Sequence, residues 1–183
     1  MAIAYDSCSD ETMRICREAL ADVLGCQGIR DEHSLPAYVI QLEDCRADGG
    51  CESALIRRTG WKYLAMDANG KALCCDVEEA PGAQQAEVDA VSEGVDAVRA
   101  LQSLDELIEL EEGVYEVRWV SVPGLLVSGF WLKSTTPGRP DLVAPLRVLQ
   151  EELAAKQFFP LEEFIGIVRS MATERLAYND APN

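Results

Sequence analysis

Two runs decide the fold: Gly113-Val-Tyr-Glu-Val-Arg-Trp-Val-Ser-Val-Pro-Gly-Leu-Leu-Val-Ser-Gly-Phe-Trp-Leu-Lys133 and Asp141-Leu-Val-Ala-Pro-Leu146. They hold two of the three tryptophans and the densest β-branched and aromatic content of the chain. Tyr115, Val117 and Trp119 alternate with Glu116 and Arg118, the mark of a strand with one dry face and one wet face. Ser121-Val122-Pro123-Gly124 suits a turn with Pro second and Gly third. Leu125 to Lys133 is apolar on both faces except at Ser128 and Gly129, as expected of a strand covered on both sides. A loop over 135–140 leads to a third strand, 141–146, whose Pro145 belongs at an edge or a strand end.

Outward from this centre, the N-terminal part has its own strands. Tyr38 to Leu42 reads as a strand, with Tyr38, Ile40 and Leu42 on the buried face. Asp44 to Cys51 is a glycine-bearing turn. Strand character resumes from Ser53 to Arg58 and from Trp61 to Met66, with a bulge expected at Gly60. Asp67-Ala68-Asn69-Gly70 is a hairpin turn, since Asn-Gly accepts left-handed geometry cheaply. Lys71 to Glu78 returns, and the adjacent Cys74 and Cys75 must point to opposite faces.

Helical periodicity fills most of the remainder. Ser9 caps a helix over 10–24 that Gly25 ends. Val88, Val91, Val95, Val98 and Leu101 step by three and four and predict a helix over 86–101. Ser103 with Glu106 has capping-box form and predicts a second helix over 104–111. Leu146, Leu149 and Leu153 predict a helix over 146–157, and Pro160 opens another over 160–176. Gln27 to Pro36 reads as a polar connection holding the sole histidine, His33. The expected fold class is α+β, with antiparallel strands in two groups, about 38–79 and 114–146, packed against four to five helices. The 183 residues suit a single domain, and Pro81-Gly82 is the point at which it would divide into subdomains 1–80 and 84–183.

The formal net charge is −16, and it is concentrated. Between Asp76 and Glu116 stand thirteen acids and one base, Arg99, a net −12 for that segment. Such a balance repels nucleic-acid phosphates and anionic membrane surfaces. Met1 to Ser7 lacks the basic and apolar regions of a secretory signal, and no apolar run reaches the roughly 20 residues of a spanning helix, so a cytoplasmic protein is expected. The acidic segment has two readings: a solvated face that opposes aggregation, and a docking face for a basic protein. The docking face would use Glu87, Asp89, Glu93 and Asp96.

Chemistry has few candidates. Seven cysteines without a signal argue for free thiols rather than a disulfide framework. Cys45 and Cys51 are separated by five residues, wider than usual zinc spacing. With Cys74 or Cys75, and either Cys8 or His33, they form a candidate set for a structural metal. Cys45 and Cys51 alone form a candidate redox pair. A cysteine nucleophile needs a base, and His33 is the sole histidine. Ca²⁺-loop, phosphate-cradling and metalloprotease motifs are missing. No cofactor is implied. Trp61, Tyr63, Tyr115, Trp119, Phe130 and Trp131 are core candidates that would alternatively line a ligand cavity. The leading expectation is a non-catalytic protein that binds a basic partner through an acidic helical face, as an adaptor, inhibitor or immunity-type protein. The rivals are a thiol enzyme or metal protein built on Cys45, Cys51, Cys74 and Cys75, and a small-ligand binder with an aromatic-lined pocket.

Overall fold

The computed structural model describes residues 7–46, 55–79, 86–108, 115–147 and 158–179. The elements are α1 (Asp10–Leu24), β1 (Arg30–Ile40), β2 (Ile56–Met66), β3 (Ala72–Glu78), β4 (Glu87–Glu93), α2 (Val95–Ile108), β5 (Tyr115–Val122), β6 (Val127–Ser134), β7 (Leu142–Arg147), β8 (Phe159–Pro160) and α3 (Leu161–Asn179). The strands form one sheet in the order β4-β3-β2-β1-β5-β6-β7-β8.

This overturns the expected architecture of four to five helices packed on antiparallel strand groups. Three helices are present among the described residues, and the eight-stranded sheet is mixed. The two strand groups join through one parallel pairing, Ala37 with Trp119, Tyr38 with Val120 and Val39 with Ser121, between β1 and β5. Every other neighbouring pair is antiparallel.

The helix expected over 86–101 fails for a specific reason. Val77 and Cys75 lie two apart on one face of β3, yet their partners on β4 are Val88 and Val91, three apart. A bulge at Asp89 inserts the extra residue and puts two valines at helical spacing on the same face of a strand. Gly94, at φ 111°, then breaks the run, and α2 begins at Val95. Val95 and Val98 are exposed, whereas Ala97, Ala100, Leu101, Leu104 and Leu107 are buried. The capping box expected at Ser103 is likewise absent, because α2 runs unbroken from 95 to 108 and buries Ser103 in its middle. Positions 109–111 lie outside the described residues.

Other differences are smaller. The expected polar connection around His33 is mostly strand, since β1 starts at Arg30. Leu146 and Arg147 belong to β7 rather than to a helix, and the rest of the 146–157 expectation lies outside the described residues. So do Cys51 and the Pro81-Gly82 boundary.

Several readings hold. Helix α1 is capped by Ser9, whose side chain accepts from the Thr12 N–H, and ends at Gly25 in the left-handed region. Thr59 is the extra residue of a bulge beside Gly60, because Ala37 pairs with Gly60 and Tyr38 with Arg58. The Asp67 carboxylate closes the β2–β3 turn by accepting from the Asn69 and Lys71 N–H groups, both at 2.8 Å.

Helices α1 and α3 share one face of the sheet. Cys16 and Leu20 of α1 pack on Trp61, Tyr63, Leu73 and Cys75. Phe164, Ile165 and Val168 of α3 pack with Ile40, Val120, Val122 and Trp131. Helix α2 takes the other face, over Leu64, Cys74, Trp119 and Phe130. Strand β6 is therefore covered on both sides, with Phe130 facing α2 and Trp131 facing α3. No helix of the described residues is long and apolar enough to cross a membrane.

Phe130 is fully buried, so Phe130→Ala is expected to cost about 3–5 kcal/mol in urea unfolding. At Gly129 an added Cβ would stand 2.3 Å from the Ala144 carbonyl oxygen and 2.7 Å from Pro145 Cα, both backbone atoms. Gly129→Ala must open the β6–β7 ladder, and its unfolding midpoint should fall well below that of Gly166→Ala, where a Cβ meets nothing.

Candidate functional site

Helix α2 covers only part of its face of the sheet. Beside it runs a groove with two recesses that share Lys62, Asp76, Trp119 and Ser128. The inner recess, against α2, holds about 220 Å³. The outer recess holds about 370 Å³ and is bordered by Gln41, Thr59, Glu78, Asp89 and Ser121.

The sheet register builds the centre of the groove. Lys62 on β2 stands opposite Asp76 on β3. Its ammonium lies 2.8 Å from Asp76 Oδ1 and 2.9 Å from Oδ2. The Lys62 side chain is only 13% exposed and that of Asp76 38%, so the buried partner is the cation. Nζ also sits 5.0 Å from the centre of the Trp119 ring, whose edge-to-face partner is Phe130 at 5.6 Å. Burial by itself would lower the Lys62 pKa, but Cys74 and Asp76 beside it reverse the sign and hold it raised above its ordinary 10.5. Lys62 is thus a fixed cation at neutral pH. Cys74 lies across from Ser92 on β4. Burial pushes its thiol up, and neighbouring Lys62 offsets this only in part.

That arrangement gives little to thiol catalysis, because the nucleophile is the thiolate and no histidine lines either recess. His33 sits on β1 opposite Leu64. Cys74 and Cys75 do point to opposite faces, one under α2 and the other under α1. Cys45 is buried under α3, and its expected partner Cys51 lies outside the described residues. The six described cysteines are free thiols, and no cluster of three or more metal-ligating side chains occurs among the described residues.

No family model, no curated protein and no solved structure matches this chain.

The four acids singled out from the sequence do not form one helical face, which corrects that expectation. Glu87, Asp89 and Glu93 are on strand β4, and only Asp96 is helical, in the first turn of α2. Asp89 borders the outer recess and Asp96 the inner one. Glu93 pairs with Lys71. Glu87 lies directly opposite Glu78 across the β3–β4 ladder. Of the aromatics weighed as pocket lining, Trp119 lines both recesses and Trp61 the outer one. Tyr63, Phe130 and Trp131 are buried core. The central pair, Lys62 with Asp76, was missed. The sequence carries a signal for it: a lysine inside the apolar run from Trp61 to Met66, at a position whose hairpin register sets an acid across from it.

Removing Asp76 strands a buried ammonium, whereas removing Lys62 leaves a carboxylate that reaches water. Asp76→Ala is expected to cost about 3 kcal/mol, and Lys62→Met distinctly less. Because the folded pKa of Lys62 is raised, its contribution is full below about pH 10.5 and fades as pH climbs through the folded value. The stability gap between native protein and Lys62→Met, followed by urea denaturation from pH 8 to 11.5, should close at the alkaline end.

Proposed function

We propose that this is a non-catalytic binding protein whose acidic sheet edge takes an extended basic segment of a partner protein. The carrying observation is the like-charge pair Glu78 and Glu87, directly opposed across β3 and β4, with Asp89 bulged out beside them. Opposed like charges destabilise a ladder. Glu78, Glu87 and Asp89 have no ion-pair partner among the described residues, so the local negative field is uncompensated.

The geometry suits strand addition. Among the described residues β4 pairs only with β3, so its other side presents unpaired backbone groups. An incoming strand would gain main-chain hydrogen bonds there, with side-chain charge selecting the partner. Lysine or arginine at alternate positions would meet Glu87, Asp89 and Glu78. The same charges keep the edge from pairing with copies of itself, which is the usual use of charge on an edge strand. The protein's overall charge of −16 adds long-range attraction for such a segment.

The probe is a fluorescein-labelled ten-residue peptide of alternating lysine and threonine, followed by fluorescence anisotropy. Saturable binding is expected, weakened at least tenfold by Glu87→Lys with Asp89→Lys and by raising salt from 50 to 500 mM. Glu174→Lys, an exposed charge reversal on α3, should leave affinity within twofold. Binding that ignores the β4 reversals, or equal loss in the α3 variant, would sink the reading.

A further inference from the structure

The inner recess has a character opposite to the edge. Its charged lining is Lys62, Arg99 and Arg147 against Asp76 and Asp96, a net +1 in a strongly acidic protein. Lys62 and Asp76 neutralise each other at 2.8 Å. The two guanidiniums are served far less well. They share the single carboxylate of Asp96, at 3.6 Å from Arg147 and 4.0 Å from Arg99. Both separations exceed hydrogen-bond length, so among the described residues neither guanidinium has a hydrogen-bonded partner in the recess.

A guanidinium fork is built to take a planar carboxylate through two parallel hydrogen bonds. Here two forks face one recess, and neither is engaged in that way. The surface the recess exposes is more polar than apolar; Leu64, Ala97, Ala100, Leu146 and Trp119 supply its apolar part, and Ser92 and Ser128 add hydroxyls. The first turn of α2 contributes Asp96 and Ala97, and the positive end of its dipole favours an anion nearby. At about 220 Å³ the space is below the roughly 300–1,000 Å³ of ordinary ligand pockets, which limits the guest to about the size of one small substituted ring.

We infer that the inner recess is a binding site for a small organic carboxylate with an apolar body. Its carboxylate bridges Arg99 and Arg147, displacing the loose contact to Asp96. Its body lies on Leu64, Ala97, Ala100 and Leu146, toward Trp119. The paired Lys62 stays with Asp76 and forms the polar back wall. This site goes beyond the edge described above and does not depend on it.

The probe is 4-fluorobenzoate, observed by fluorine NMR on the full chain, with 4-fluorobenzyl alcohol and inorganic phosphate as comparators. Native protein is expected to bind 4-fluorobenzoate saturably and the alcohol at least tenfold more weakly, the loss of one strong charge-assisted contact. Arg147→Gln and Arg99→Gln should each weaken binding about tenfold with unchanged melting temperature, since both side chains are about half exposed. Asp96→Asn, which frees both guanidiniums, should tighten it severalfold. Glu87→Lys with Asp89→Lys should leave it unchanged, so failure here and failure of the edge are told apart. The inference is overturned if native protein shows no saturable binding, if the alcohol binds equally well, if neither arginine variant weakens binding, or if phosphate binds and 4-fluorobenzoate does not displace it.

Discussion

Three parallel residue pairs hold this structure together: Ala37 with Trp119, Tyr38 with Val120 and Val39 with Ser121. Without them the chain would be two antiparallel sheets, each with an open edge and too few strands to be well covered. With them β1 becomes a central strand, flanked by β2 and β5, and the sheet reaches eight strands. A parallel neighbour cannot be reached by a hairpin, so the chain must travel between β1 and β5 by a long connection. Helix α2 is part of that connection, and its place on the opposite face from α1 and α3 leaves the groove beside it.

The groove inherits its chemistry from this arrangement. Lys62 is buried because β2 is interior to the sheet, and it is tolerated because the hairpin register sets Asp76 across from it. The pair offsets its own desolvation only through close geometry and the contact with the Trp119 ring. Farther out, β4 is an edge strand, and acids there keep their water. Charge along the groove therefore runs from an excess of cations under α2 to an excess of anions at the sheet edge. One groove thus presents two unlike surfaces, a small cationic recess with two loosely engaged guanidiniums and an open acidic strand.

Much of the element content was legible because local rules acted alone. Helix α1 is bracketed by a serine cap and a left-handed glycine, and the β2–β3 hairpin by Asp67 and Gly70. The two-sided hydrophobicity of Leu125 to Lys133 announced the doubly covered strand β6. The Val88 to Leu101 stripe misled because a bulge at Asp89 gives a strand the three-residue step of a helix. No local pattern separates those cases. The deciding factor is the partner strand β3, whose Val77 and Cys75 set where each valine must point.

The sequence by itself determined the acidic charge and its concentration, the caps and turns, and the burial of the aromatic strands. Each of these depends on residues close together along the chain. Only the tertiary structure decided that the strand groups form one mixed sheet, that the acids of 87–93 lie on an edge, and that Lys62, Arg99 and Arg147 meet at one recess. Those facts rest on pairings between residues as distant as Ala37 and Trp119. Backbone hydrogen bonds make such pairings with little regard to side-chain identity, so composition and spacing carry almost no trace of them.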